Sequence, residues 1–374
     1  MSRFDSTGFR AGYAAGGDWQ AAFAAALADA WPLPEGANLG FVYATDYYAP
    51  HFGEIVERLK AETGIQLWSG TVGLGIATPE GEVFDRPALA IMVGRFPADS
   101  FRLFGPVTKS SELASLAPGW LERQLGTVAL LQGDSRTPEL ETLIADLGEA
   151  AKAFPLGGLT ASRAGPASAI GGRAGGLSGV LFGGAVEIVS GLTQGCAPLG
   201  PAMTITGAEG NVISAIDGRP AAEMLIEAVD KHFDGRLAEA WGHVHPAFPV
   251  PGRDRDDYLV RNFLGLDAEK GLLAVGDLVE PGQKILFCRR DQAGAKQDLG
   301  RMLADVARRA AGRAKAGLYF SCVARGPNLF GPGGAEMRQI REALGEIPLV
   351  GFYAGGEISG DRLYAYTGVL ALFV

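Results

Sequence analysis

Apolar residues along this chain fall into two rhythms, continuous runs of about six residues and sets at helical spacing. In 18–31, Trp19, Phe23, Ala26, Leu27 and Ala30 recur at helical spacing behind Asp18, a residue type that caps helix N-termini, and the pattern stops before Pro32 and Pro34. This predicts an N-terminal helix. Residues 39–45 read as a buried strand, 52–63 as a helix with Ile55 and Leu59 inward, 65–68 as a short strand running into Gly70, Gly73 and Gly75, and 88–93 as a closing strand. The same order returns at 127–132, 137–153, 154–158 and 177–182, and again at 317–322, 334–344, 347–351 and 369–374. Leu67, Leu156 and Leu349 align just ahead of Gly70, Gly158 and Gly351, so a strand-helix-strand-strand unit of roughly 60 residues repeats.

A decayed fourth copy is expected over 211–288, and a basic amphipathic helix over 297–311 with Leu299, Met302, Leu303 and Val306 inward. The fold class is therefore α/β, with α+β as the alternative: two similar domains of repeated units with mixed sheets. Glycine and proline cluster at 195–207, which divides the chain into a helical extension (1–34), a first domain (35–205) and a second (206–374).

Composition then removes whole classes. At 374 residues the chain exceeds a single ordinary core, and 47% hydrophobic with 20% charged residues is globular. A net charge of −9 with no basic run excludes a generic nucleic-acid or anionic-membrane surface. The apolar stretch 175–191 is broken by glycines, Ser178 and Glu187, so it reads as two buried strands and not as a membrane span of about 20 residues. Three cysteines with no Cys-x-x-Cys pair fit a reducing compartment, and no leader or lipidation pattern opens the chain, so a cytoplasmic protein is expected.

The last stretch concentrates chemistry. Phe320, Ser321 and Cys322 end a strand and are followed by Arg325 and Gly326. After the next helix come Gly351, Tyr353, Gly355, Gly356, Glu357 and then Thr367. Ligands of open α/β sheets usually sit at strand ends. With Asp217-Gly218 before a helix, Arg261 and Gly282 in middle strands, and a Gly195-Cys196 junction, these residues resemble the FIST family from about Leu39 to the C-terminus. The resemblance implies a sensory, small-ligand-binding role in bacterial signalling, with amino acids as candidate ligands. No stretch reads as a kinase, methyl-accepting or F-box segment, so a signal is expected to pass to a separate partner such as a kinase or receptor.

Residue by residue, Arg325 is a candidate to clamp an acidic group or to pair with Glu357. Glu357 is a candidate to hold an amine or hydroxyl. The Gly355-Gly356 backbone would allow close approach, Tyr353 or Thr367 would orient the ligand, and Arg261 is a second cation. Cys322 beside Arg325 opens an alternative, a cysteine-dependent enzyme or redox protein with Glu357 as acid or base. A protein-interaction scaffold is the third reading. Cys196 is a candidate to meet Cys322 across the junction. The recurring glycines read as tight turns with positive φ, and Gly70-Thr71-Val72-Gly73 lies between strands, unlike a dinucleotide fingerprint. Gly171 to Gly176 reads as a hairpin connection or a lid. His243 and His245 would share a strand face but lack a third ligand, so neither a metal nor a cofactor is expected. No catalytic Ser elbow, Walker loop or His-Glu-x-x-His is found.

Overall fold

The structure, a computed structural model, describes residues 8–78, 80–124, 126–172, 175–233, 236–250 and 257–374. The chain forms two compact units. One comprises residues up to Thr193 together with Asp298–Val374, the other Gln194–Gln297.

The first unit opens with β1 (Phe9–Ala15), α1 (Trp19–Ala30), β2 (Leu39–Thr45), α2 (Phe52–Thr63), β3 (Trp68–Gly73), the hairpin β4 (Gly75–Thr78) and β5 (Gly81–Phe84), and β6 (Ala88–Gly94). Asp18 caps α1 by accepting from the Ala21 amide at 2.8 Å, as its residue type suggests. Strand β2 runs parallel to β3 on one side and antiparallel to β6 on the other, and β1 adds beyond β6. The N-terminal stretch thus contributes a strand as well as the expected helix.

A second copy follows: β7 (Phe101–Val107), β8 (Thr127–Gly133), α3 (Leu140–Ala150), β9 (Ala153–Leu159) and β10 (Leu177–Phe182). Here β8 is parallel to β9 and antiparallel to β10, with β7 outermost. The third copy begins at β11 (Ile188–Thr193), and the chain then leaves for the second unit.

That unit contains β12 (Cys196–Pro198), β13 (Met203–Glu209), β14 (Val212–Ile216), β15 (Arg219–Pro220), α4 (Ala221–Phe233), α5 (Leu237–Ala240), β16 (Val244–Pro249), β17 (Tyr258–Val260), β18 (Phe263–Asp267), β19 (Leu272–Val275) and β20 (Lys284–Arg290). Its sheet runs β17-β16-β20-β13-β14-β19-β18, and every pairing between these named strands is antiparallel. The fourth copy expected over 211–288 is therefore not formed. Its strands and helix exist, but α4 joins no parallel pair, because β16 settles beside β20 and not beside β14.

Helix α6 (Gln292–Ala310) returns the chain to the first unit, with Leu299, Met302, Leu303 and Val306 buried as their spacing predicts. The third copy is completed by β21 (Ala316–Cys322), α7 (Pro327–Phe330), α8 (Ala335–Leu344), β22 (Leu349–Ala354), the hairpin β23 (Glu357–Ser359) and β24 (Arg362–Tyr364), and β25 (Gly368–Phe373). Strand β21 is parallel to β22 and antiparallel to β25, and β11 lies beyond β25. The protein is α/β with mixed sheets, as the periodicity implies.

Each copy lends a hairpin to another copy's sheet. The β4-β5 hairpin of the first pairs with β22 of the third, β23-β24 of the third with β9 of the second, and the Ser168 turn of the second bridges Thr71 in β3 of the first. The exchange is cyclic. Ser168 also bridges Gly172, closing a tight turn within the loop between β9 and β10; residues 173 and 174 of the expected hairpin connection at 171–176 lie outside the described residues. Side chains from all three sheets, including Tyr43, Leu130, Val180, Phe320, Phe352 and Phe373, meet in one core.

The aligned glycines owe their place to a close approach, not to a turn. A Cβ on Gly70, Gly157 or Gly351 would stand 1.8, 2.0 or 1.7 Å from the carbonyl oxygen of Val42, Leu131 or Tyr319 on the parallel neighbour. The equivalent glycine of the second copy is thus Gly157, one residue before the Gly158 that the sequence alignment selects.

Candidate functional site

Strand β21 delivers Tyr319, Ser321 and Cys322 to its C-terminal end, and the turn after it brings Arg325 back over the same end. Arg325 is completely buried, and its partner is Glu336, not the expected Glu357. Its Nε and Nη2 both reach Glu336 Oε1 at 2.8 Å, and its guanidinium lies 5.0 Å from the Phe330 ring centre. Glu336 also accepts from the hydroxyls of Tyr319 (2.7 Å), Ser321 (3.2 Å) and Tyr353 (3.2 Å), and from the Gly326 amide (2.9 Å). A buried carboxylate needs such donors in place of water. Among the described residues Arg325 Nη1 has no hydrogen-bond partner.

Glu336 sits in the first turn of α8, whose N-terminal Gly334 provides no side-chain cap. Glu82, on the hairpin lent by the first copy, replaces it by accepting from the Glu336 and Met337 amides at 2.9 and 3.1 Å. Burial raises the Glu82 pKa above its ordinary value, against those amide bonds. Neither acid stood out in the sequence. The available signal was an acid in the first turn of a helix that follows Gly333-Gly334, eleven positions after a lone arginine.

Glu357 lies in β23, opposite Gly158 and Tyr364. Its Oε2 accepts from the Thr367 hydroxyl at 2.7 Å and amide at 3.2 Å, and Oε1 has no partner among the described residues. Burial pushes its pKa up to about 8, against the Thr367 bonds and the nearby Arg325 charge. Cys322 is its neighbour: burial first, then the Glu357 charge, push the thiol up to about 12, although backbone bonds from Ala324 and Tyr366 oppose this.

The other candidates divide. Tyr353 is buried on Phe84 at 4.4 Å and bonds Glu336. The Gly355 amide and Gly356 carbonyl are engaged by Leu159, at 2.9 and 2.8 Å. Arg261 belongs to the second unit, where it pairs with Asp277 at 2.9 Å. His245 is buried, with its pKa lowered to about 4 by burial and then by Arg290, whereas His243 is exposed, so the two do not share a surface. No group of three or more metal-ligating side chains occurs among the described residues. Cys196 lies beside Cys288 on the neighbouring strands β12 and β20 of the second unit.

A cleft of about 340 Å³ opens elsewhere on the first unit, between β1 and α8. Arg10, Tyr13, Asp29, Glu80, Arg341 and Glu346 supply charge and a hydroxyl, above a floor that includes Met337, Ile340 and Leu349. The Tyr13 hydroxyl donates to Glu80, and burial followed by that bond pushes its pKa up to about 12. Met337 and Arg341 place the cleft on the helix whose first turn holds Glu336.

These features describe an α/β protein of repeated units that carries a second, antiparallel unit within its third repeat. The chain belongs to the FIST family: the FIST N domain matches residues 38–219 and the FIST C domain residues 221–360. FIST domains are associated with sensory signal transduction and small-ligand binding. The chain is similar to an uncharacterized protein of Mycobacterium tuberculosis, 36% identical over 209 residues, or 53% of this chain and 54% of that protein. It is also similar to an uncharacterized protein of Mycobacterium bovis, 36% identical over 193 residues, or 49% and 50%. The chain spans about half the length of the curated relatives it matches. No helix of the described residues is long and apolar enough to cross a membrane.

Proposed function

We propose that the protein is a small-molecule-binding sensory protein of bacterial signal transduction, and that it takes an amino acid or similar small zwitterion in the cleft over α8. The cleft carries this reading. Its volume of about 340 Å³ lies in the range of small-ligand sites. Arg10 and Arg341 suit a carboxylate, Asp29, Glu80 and Glu346 suit an ammonium group, and the floor suits an apolar side chain. Because α8 is tied to Arg325 through Glu336 and to the lent hairpin through Glu82, a ligand that moves α8 biases the buried network, which a separate kinase or receptor would read.

A second reading, direct contact of the ligand with Arg325 and Glu357, is favoured by their open Nη1 and Oε1 atoms, and requires the buried site to open. The cysteine-enzyme reading fits less well, since a thiol pushed up to about 12 is a poor nucleophile at neutral pH.

A thermal-shift screen of amino acids and small carboxylates tests the proposal, because a ligand at about 100 times its Kd adds about 2.7 kcal/mol. Loss of the shift in Arg341→Ala and Arg10→Ala, with the unliganded Tm retained, supports the cleft. Loss in Glu357→Gln alone points to the buried site. Absence of any shift across the library sinks the sensory reading.

A further inference from the structure

We propose that Cys196 and Cys288 form a reversible dithiol–disulfide site that ties the second unit closed between its two chain ends. The proposal is independent of the ligand reading.

Strands β12 and β20 are antiparallel neighbours, with Cys196 opposite Arg290 and Pro198 opposite Cys288. The cysteines are therefore diagonal, two positions apart, and on one face of the sheet because side chains alternate with a period of two. Both are free and buried, 5% and 0% exposed. The neighbouring Cys196 thiol, and then burial, raise the Cys288 pKa above its ordinary value. Each residue has a further bond: the Cys288 thiol donates to the His245 carbonyl at 3.5 Å, and the Tyr258 hydroxyl donates to the Cys196 carbonyl at 2.6 Å. Diagonal neighbours stand about 7–8 Å apart and a disulfide spans Cα atoms up to about 7 Å apart, so forming the bond requires β12 and β20 to draw together.

Position gives the bond a consequence. Cys196 follows the start of the second unit at Gln194, and Cys288 precedes its end at Gln297. A disulfide would close about 90 residues, nearly the whole unit, into one covalent loop, the case in which a cross-link restricts the unfolded chain most.

The oxidant is a hydroperoxide. The less buried Cys196, as thiolate, attacks the peroxide oxygen. The O–O bond breaks, giving a sulfenic acid and, from hydrogen peroxide, water after proton uptake. The Cys288 sulfur then attacks the sulfenic sulfur, the S–O bond breaks, and the oxygen leaves as a second water. Two thiols thus supply the two electrons that reduce one peroxide. A small dithiol reverses the step by exchange and leaves as its own disulfide. Cys322 is the sole cysteine of the first unit, so it has no resolving thiol there.

The test uses the full chain, treated with hydrogen peroxide, denatured, alkylated and analysed by peptide mass mapping. The expected product is two hydrogens lighter, retains one alkylatable thiol at Cys322, and yields a linked Cys196–Cys288 peptide that dithiothreitol releases. Cys196→Ser and Cys288→Ser should each abolish the link and Cys322→Ser should keep it; the wild-type map stands even if a variant fails to fold. Limited proteolysis within 194–297 should slow by about tenfold or more on oxidation. Three alkylatable thiols after peroxide, a link to Cys322, or a link between chains would overturn the site. Unchanged cleavage within 194–297 would overturn the tie.

Discussion

Glu336 and Glu357 are two completely buried carboxylates in the first unit, and both feel the Arg325 charge, yet their surroundings differ. Glu336 accepts from Arg325, three hydroxyls and a backbone amide. Glu357 receives two bonds from one residue, Thr367, and keeps Oε1 open. The difference shows what a buried charge requires. Donors on every side replace water at Glu336, while at Glu357 they serve one oxygen, and burial pushes that acid up to about 8. The first site is built as an ion pair and the second as a carboxyl poised near neutrality.

Breaking the pair should have the largest effect. Glu336→Ala or Arg325→Ala strands an opposite charge in the core and should cost about 3–5 kcal/mol in urea unfolding. A loss under about 1 kcal/mol would erase the contrast between the sites.

Next comes pH. The Glu357 pKa rises from 4.5 to about 8 on folding, so its stabilisation is fully present below pH 4.5 and is lost as pH rises through 8. Relative to Glu357→Gln, the wild type should lose a few kcal/mol across that window, by an order-of-magnitude reckoning. Parallel stability profiles for the two proteins would mean that Glu357 titrates like an exposed acid.

A smaller effect is expected from Thr367→Val, which removes the hydroxyl donor but leaves the amide. It should cost about 1–3 kcal/mol at high pH and less where Glu357 is protonated. A pH-independent cost would assign Thr367 a packing role alone. The smallest effect belongs to Arg341→Ala, on the cleft, which should leave unliganded stability within about 0.5 kcal/mol in the same urea experiment. A large loss there would make the cleft wall structural.

The legibility of the fold followed the range of the forces involved. Helices α1, α2, α3, α6 and α8 and the central strands of three copies could be read because apolar spacing is a local property. Strand β1 carries a mixed burial pattern that gave no clear signal. The decayed copy showed the opposite failure: its elements were visible, but strand partners were not, and these decide whether a helix is a crossover. At the site, Cys322, Arg325, Tyr353, Glu357 and Thr367 were singled out as ligand-binding candidates from motif spacing, while the partner of Arg325 was missed. Glu336 looked like an ordinary first-turn acid, and its burial depends on Glu82 holding α8 from another copy's hairpin.

The sequence by itself determined the repeated unit and the family, because periodicity, composition and motif spacing are written in consecutive residues. Tertiary structure alone decided that hairpins pass cyclically between copies, that Arg325 pairs with Glu336, and that Cys196 meets Cys288. Each of these is a choice among partners distant in the chain, which no local pattern of residues encodes.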